Sequence, residues 1–310
     1  MGAYVTFLKR LAGSNTFAVF CILFTMVLFG LSFLFSRIAL ESASAFTLLS
    51  WRFFTAFFIM TALRAAGLLK IDLKRPPVSL LCMGLVYPVS YFFLETIGLG
   101  LTSVAESGII LSMVPVVSMV IAALFLREYP VRLQVLSIIF SVLGTVVVVL
   151  GQDISSPSFN LPGYFALFGA VVSAALFFTL SRSAGGYSSA AKSYVMLGMG
   201  FIAFTAFAAV EHIRNGTVSE WLALPFHNMN FLASILYLGA LASVVGSWSM
   251  NFSVERLGVH RTSVFAAVAT VVGVLAGILF LRESLTAAQA AGMVMILLGV
   301  TGVNKFGRKA

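Results

Sequence analysis

The stretch Phe125-Leu126-Arg127-Glu128 recurs as Phe280-Leu281-Arg282-Glu283, at an offset of 155 residues that equals half the chain. Three further features keep this offset: a glutamine six residues after each glutamate, a Leu-Gly pair nine residues beyond it, and two small residues spaced four apart before the motif. The matching pairs are Gln134 with Gln289, Leu143-Gly144 with Leu298-Gly299, and Ser118/Ala122 with Gly273/Gly277. Four elements in one register predict an internal duplication of the chain.

The chain is apolar over most of its length. Hydrophobic residues make up 60% of its 310 residues and charged residues 9%, whereas a soluble domain has about 25% charged residues. A soluble fold of this composition would expose more apolar surface than water tolerates, so we expect an all-α integral membrane protein. Apolar runs of about 20 residues predict ten transmembrane helices, at 17–36, 45–66, 78–98, 104–125, 133–150, 163–181, 193–210, 231–249, 262–280 and 287–303.

The duplication divides these helices into two halves of five, at residues 1–155 and 156–310. Because five is an odd number, the two copies must insert into the bilayer with opposite orientations. We therefore predict two inverted five-helix repeats. Such repeats are typical of secondary transporters, which bind their substrate near the bilayer midplane between the halves.

The positive charges of the chain indicate its orientation. Fifteen of the 19 Lys and Arg residues fall on the side that holds both termini, and four fall on the other side. By the positive-inside rule this asymmetry predicts cytoplasmic termini, in a multi-pass protein of the bacterial plasma (inner) membrane. The net charge of +9 is then mainly a topology signal. No basic face or stripe favours nucleic acid as a partner.

These motifs resemble those of a known group. Ten helices in two halves, with Phe-Leu-Arg-Glu followed by Gln and Leu-Gly in each, are similar to the drug/metabolite transporter superfamily in its EamA-like branch; Gly30, Arg52 and Pro115 support the likeness. Two positions depart from the family pattern, since Phe29 precedes Gly30 where tryptophan is usual and Thr270 replaces the second-half proline. The resemblance implies a basket-like bundle around a central cavity. It also implies substrates such as amino acids, other small metabolites or drugs, often exported.

Two charged residues are expected at membrane depth, where ionisable groups are usually functional. Arg52 lies about seven residues into the second predicted helix and Glu95 lies near the outer end of the third. They are candidates for a pair that acts as an external gate or clamps a substrate charge. The alternative is that both side chains snorkel to the outer interface. For Glu106, at the start of the fourth helix, we expect an interface position.

Polar and aromatic residues within the predicted helices are candidates for the cavity wall. A transport pocket needs a few polar groups on an apolar, aromatic surface, although polar side chains also hold helices together in lipid, and Trp248 and Asn251 lie near a helix end, where an interfacial role competes. The candidates are Phe29, Ser32, Phe33, Tyr87, Ser90, Tyr91, Ser112, Tyr237, Ser243, Ser247, Trp248 and Asn251.

A second set of residues is expected to act structurally, with a gating role as the alternative. It comprises Pro115, Glu128, Gly273, Gly277 and Glu283. The two glutamates are expected at helix ends, as interface charges and caps. No metal-ligand spacing and no phosphate-binding glycine loop occur in the sequence, so we predict neither a cofactor nor ATP hydrolysis.

Together these patterns predict a secondary transporter of small metabolites, such as amino acids or similar amphipathic solutes. We expect it to export them by alternating access between its two halves. The alternatives are a membrane-embedded enzyme, a channel or an assembly subunit. The expected partners are a small-molecule substrate and the lipid bilayer, with the protein a monomer or a weak dimer. The substrate and the driving force stay open: either Glu95 carries a coupled proton, or the protein is a facilitator or exchanger.

Overall fold

The computed structural model describes residues 15–69, 71–72, 78–126, 131–150, 160–183, 186–257, 262 and 265–306. Within these ranges the regular structure is entirely helical. The helices are α1 (Asn15–Leu40), α2 (Ala45–Ala65), α3 (Val78–Gly84), α4 (Tyr91–Leu101), α5 (Val104–Leu111), α6 (Val114–Leu126), α7 (Arg132–Leu150), α8 (Leu161–Ser183), α9 (Ser189–Asn215), α10 (Val218–His227), α11 (Met229–Leu236), α12 (Gly246–Leu257), α13 (Ala266–Leu281) and α14 (Ala287–Lys305).

Among the described residues, seven helical stretches are long and apolar enough to cross a bilayer. They are Thr16–Leu40, Ala45–Ala65, Leu80–Leu101, Val104–Ile121, Leu161–Phe178, Ser189–Asn215 and Met229–Leu257. Three shorter apolar stretches, at Arg132–Gly144, Val268–Leu281 and Ala287–Gly302, fall where the fifth, ninth and tenth spans are predicted. The membrane fold is therefore confirmed, and the count of ten spans stays a prediction.

One helix has no counterpart in the sequence prediction. Helix α10, between the seventh and eighth predicted spans, is ten residues long, too short for an apolar run to indicate it. It is tied to α2 by two indole hydrogen bonds, from Trp221 Nε1 to Ser50 Oγ at 3.0 Å and from Trp51 Nε1 to the Trp221 carbonyl at 3.1 Å.

The helices pack with the symmetry that the duplication implies. Shifting the bounds of α7 by 155 residues gives the bounds of α14, and these two helices pack against each other. The contact of α4 with α8 has its counterpart in the contact of α12 with α1, and that of α6 with α8 in that of α13 with α1. Each of these contacts joins one half to the other. The boundary predicted at residue 155 lies outside the described residues.

The repeated Gln and Leu-Gly elements have a physical explanation in α7 and α14. Gln289 closes a capping box with Thr286 at the start of α14, and Gln134 accepts the Val131 N–H at 2.9 Å at the start of α7. The two glycines allow the helices to touch. A Cβ on Gly144 would lie 2.8 Å from the Gly292 carbonyl oxygen, and one on Gly299 would lie 2.7 Å from that of Ser137.

Two ends of the bundle can be distinguished. At the terminal end, α1 begins and α12 ends. A hydrogen bond from Ser253 Oγ to the Ala18 carbonyl, at 3.1 Å, joins these two helices there. The distal end is where α1, α4 and α13 end and where α5 and α8 begin.

Candidate substrate cavity

Two π-helical turns occur at corresponding positions of the two halves. The turn Leu85–Ser90 joins α3 to α4, and Tyr237–Val245 joins α11 to α12; shifting the first by 155 residues places it within the second. In the first turn Tyr87 is extended, with φ −143° and ψ 109°, and Pro88 has no N–H for a helical hydrogen bond. π-helical turns are frequent at functional sites, and a broken helix beside the interface of two inverted repeats indicates a transport site; here the first turn breaks its helix at Tyr87.

An aromatic cavity lies beside the first turn. Its volume is about 100 Å³, counted as the space open to the centres of water-sized spheres. Its aromatic wall consists of Phe29, Phe33, Tyr87, Tyr91, Phe177 and Phe178, and its polar lining of Ser247, Asn251, Thr262 and Thr270. No charged side chain belongs to the described lining, which includes residues of both halves. The lining runs from Gly108, in α5, to Thr262, which precedes α13, and so extends toward the terminal end.

Six of the predicted cavity residues line this space. They are Phe29, Phe33, Tyr87, Tyr91, Ser247 and Asn251. The amide nitrogen of Asn251 donates to Ser193 Oγ at 2.9 Å, which fixes the side chain at the wall. Asn251 is buried, so it does not belong to an interfacial belt.

Five other predicted cavity residues are not part of the lining. The hydroxyls of Ser32 and Ser112 each donate to the carbonyl three residues earlier at 2.6 Å, a pattern that serves the helix itself. Ser90 is exposed and donates to the Leu85 carbonyl. Tyr237 donates to the Leu28 carbonyl at 3.0 Å, and Trp248 stacks on Phe252.

Arg52, Ser243 and Glu95 form a buried polar cluster behind the tyrosine wall. Arg52 is 2% exposed and Glu95 4%, so neither side chain snorkels to the outer surface. The Arg52 Nε donates to Ser243 Oγ at 3.0 Å, and the guanidinium lies 4.1 Å from the centre of the Phe92 ring, a cation–π geometry. The Tyr91 hydroxyl donates to Glu95 Oε1 at 3.1 Å. Tyr91 therefore belongs to both the cavity wall and the cluster.

The predicted structural residues lie at helix contacts. Pro115 is in the first turn of α6, directly after the break between α5 and α6. A Cβ on Gly273 would lie 2.8 Å from Phe33 Cδ2, and one on Gly277 would collide with the Glu283 carboxylate. Glu128 lies outside the described residues. Thr270, at the position of the missing proline, donates to the Gly108 carbonyl at 3.1 Å.

Polar contacts within and between the halves hold the distal end together. Glu283 accepts the backbone N–H groups of Val104 at 2.8 Å and Ala105 at 3.0 Å, and Arg37 donates to three carbonyls at the end of α4. The interface position predicted for Glu106 is wrong. This residue is 1% exposed and accepts hydrogen bonds from the Tyr164 hydroxyl at 2.9 Å and from Gln289 Nε2 at 3.4 Å.

Several lining residues could not be found from the sequence. Met26, Phe177, Phe178 and Met196 line the cavity, but they lie in apolar runs of a chain with 30 phenylalanines and 12 methionines. Nothing in the local pattern distinguishes them from residues that face lipid.

Comparison with known proteins identifies the family. The sequence profile of the EamA-like transporter family matches residues 16–150 and again 161–305. The chain belongs to the EamA-like transporter family. This repeated match follows the internal duplication and confirms the resemblance that the motifs carry.

Two relatives of similar length are named as transporters. The chain is 34% identical over 285 residues to the uncharacterized transporter YcxC of Bacillus subtilis. The alignment covers 91% of each chain. It is 26% identical over 283 residues to an uncharacterized transporter of Archaeoglobus fulgidus, covering 89% of this chain and 94% of the relative. A crystal structure at 21% identity has a TM-score of 0.66 over 96% of this chain and 99% of the other, which shows a shared fold.

Proposed function

We propose that this protein is a secondary transporter that exports small amphipathic metabolites, amino acids among them, across the bacterial plasma membrane. The observation that carries the proposal is the aromatic cavity between the two halves, beside π-helical turns at matching positions of the repeat. Membership of a transporter family supports transport itself, and the chemistry of the cavity supports the class of substrate.

The cavity suits a small solute with an apolar body. Ligand sites are mostly apolar, with a few polar groups that fix orientation, and here aromatic rings surround Ser247 and Asn251. A water molecule needs about 10–15 Å³ of such space, so a cavity of about 100 Å³ holds several waters or a solute of comparable size. The remaining predicted site residues, Arg52, Ser243 and Glu95, would act from behind Tyr91.

Alternating access would use the contacts between the halves. In this conformation the distal end is held shut, and the cavity extends toward the terminal end. Rocking of one half against the other would separate Glu283 from α5 and expose the cavity distally. With the termini in the cytoplasm, as the charges favour, the present conformation would receive solutes from the cytoplasm.

The test is solute flux in proteoliposomes after a thermal-shift screen of the purified protein against amino acids, nucleosides and quaternary amines. A solute that stabilises the protein should be transported, and Ala269→Trp, which fills the cavity, should abolish its flux. Ala206→Trp is the matched control because Ala206 is exposed on α9. Flux that survives Ala269→Trp, or a protein that none of these solutes stabilises, would contradict the proposal.

The driving force is tested in the same vesicles. Flux is measured with and without a pH gradient across the membrane. Acceleration by the gradient would support proton coupling, and gradient-independent flux would identify a facilitator or exchanger.

A further inference from the structure

The buried cluster behind the cavity has more hydrogen-bonding capacity than its neighbours use. A guanidinium carries five N–H donors and a carboxylate accepts at about four lone-pair sites. Within the part of the chain that the structure describes, Arg52 donates one hydrogen bond, to Ser243, and Glu95 accepts one, from Tyr91. Each side chain thus has one partner, as buried polar groups normally do, and keeps donor or acceptor positions for a further polar group.

Arg52 and Glu95 both border the start of α4: the guanidinium lies 4.1 Å from the centre of the Phe92 ring, and Tyr91, next to Phe92, donates to Glu95. Among the described contacts, no hydrogen bond or ion pair joins the two side chains. Other partners hold each group in place. Ser243 and the Phe92 ring fix the guanidinium, and the Tyr91 hydroxyl fixes the carboxylate. A positive and a negative group are thus held at separate positions in a buried site.

Both π-helical turns lie next to this pair. Ser243 belongs to the turn Tyr237–Val245, while Tyr91 and Glu95 follow the turn Leu85–Ser90 directly. Backbone irregularity at membrane depth is tolerated where it is buried in protein or lines a cavity. The position of the pair in the fold is therefore that of a substrate site between inverted repeats.

We propose that Arg52 and Glu95 together bind the head group of a zwitterionic substrate, its carboxylate on the Arg52 guanidinium and its ammonium on the Glu95 carboxylate. This inference rests on the proposed transport function and specifies which part of the site recognises which part of the solute. The apolar body lies among the aromatic rings of the cavity, and Tyr91 contacts both parts. A solute with a single charge would engage one member of the pair and leave the other buried without compensation, which is costly in a low-dielectric site.

Three ligands with the same aromatic body test this selectivity on the unaltered protein. They are L-phenylalanine, which is zwitterionic, 2-phenylethylamine, which is a cation, and 3-phenylpropionate, which is an anion. We expect L-phenylalanine to stabilise the purified protein at a concentration about tenfold below that needed for either analogue, since each analogue lacks one charge-assisted hydrogen bond. Equal or tighter binding of either analogue would overturn the proposal.

Charge-neutralising variants give a readout that a merely structural role would not move. Glu95→Gln leaves Arg52 as the unpaired charge and should shift the preference toward 3-phenylpropionate. Arg52→Gln leaves Glu95 and should shift it toward 2-phenylethylamine. The matched controls Arg64→Gln and Glu220→Gln change exposed residues and should keep the preference of the unaltered protein.

The outcomes separate this inference from the proposed function. If L-phenylalanine is not preferred, but another solute is transported and Ala269→Trp blocks its flux, the head-group assignment fails and transport stands. If variants that remain folded by size-exclusion chromatography keep the ligand preference unchanged, the assignment also fails. The comparison on the unaltered protein decides the case in which a variant does not fold.

Discussion

The carboxylate of Glu283 accepts the backbone N–H of Val104 at 2.8 Å, and this contact joins the second half of the chain to the first. Its second oxygen accepts the Ala105 N–H at 3.0 Å. The first N–H groups of a helix lack partners within the helix, and a negative charge there is favourable. Arg282 is left-handed, with φ 55°, and ends α13 directly before Glu283. In the second copy of the repeated motif, the Arg-Glu pair thus acts as a helix end followed by a cap for a neighbouring helix.

We predict that Glu283→Gln weakens closure of the distal end. The amide can still accept one hydrogen bond, but it lacks the negative charge that is favourable at the start of α5. The fraction of molecules whose distal end is open should therefore rise. In a variant without Cys21 and Cys82 that carries Ser247→Cys, labelling by a membrane-impermeant maleimide added at the distal side should become about tenfold faster, the effect of one lost charge-assisted hydrogen bond.

The control for this experiment is Glu220→Gln, which changes an exposed carboxylate on α10. It should leave the labelling rate unchanged. Equal labelling rates in Glu283→Gln and the parent would show that this contact does not limit opening.

The close approach of α7 and α14 leads to a second prediction. Gly144→Ala should destabilise the protein by about 1–3 kcal/mol, because the new methyl group meets a backbone oxygen that cannot move aside. A Cβ on Gly100 would meet only Leu40 Cδ1, at 3.7 Å. Gly100→Ala should therefore be neutral or stabilising, since alanine favours the helix.

Thermal unfolding in detergent compares the two alanine variants directly. A Gly144→Ala protein that unfolds at or above the temperature of the Gly100→Ala protein would mean that α7 and α14 do not approach as described.

The sequence predicted those features that the duplication repeats. The offset of 155 residues anticipated the matching bounds of α7 and α14, and the Leu-Gly pairs fall where these two helices touch. These features could be found because each occurs twice and because small residues at a helix contact have a simple steric reason.

Features that depend on which helices meet could not be predicted in this way. Glu106 lies in the first turn of α5, where an interface position was expected; it closes a capping box with Ser103, and its burial depends on Tyr164 and Gln289 from other helices. Ser32 and Ser247 look alike in the sequence, but only Ser247 lines the cavity. Hydroxyl direction in a helix depends on the local backbone and on tertiary packing.

The buried Glu106 carboxylate gives a third prediction. Tyr164→Phe removes the hydroxyl that donates to Oε1 at 2.9 Å and leaves a buried acceptor less well satisfied, which typically costs about 1–3 kcal/mol. Tyr194→Phe is the matched control because the Tyr194 hydroxyl accepts only a long hydrogen bond, from Thr61 Oγ1 at 3.5 Å, in an exposed position. Denaturation in mixed detergent micelles should give Tyr164→Phe a lower free energy of unfolding than Tyr194→Phe. The reverse order would indicate that the Glu106 contact is not stabilising.

The ends of the bundle lead to a prediction of membrane orientation. Arg64, Arg256 and Lys305 lie in the last turns of α2, α12 and α14, at the terminal end. If this end is cytoplasmic, as the positive-inside rule favours, Ser219→Cys on α10 should react with an impermeant maleimide added to intact cells, whereas Ala65→Cys should react only after the cells are opened. Both positions are exposed, so burial does not decide the difference. Labelling of Ala65→Cys in intact cells, with Ser219→Cys protected, would reverse the orientation and with it the direction from which the present conformation receives its solute.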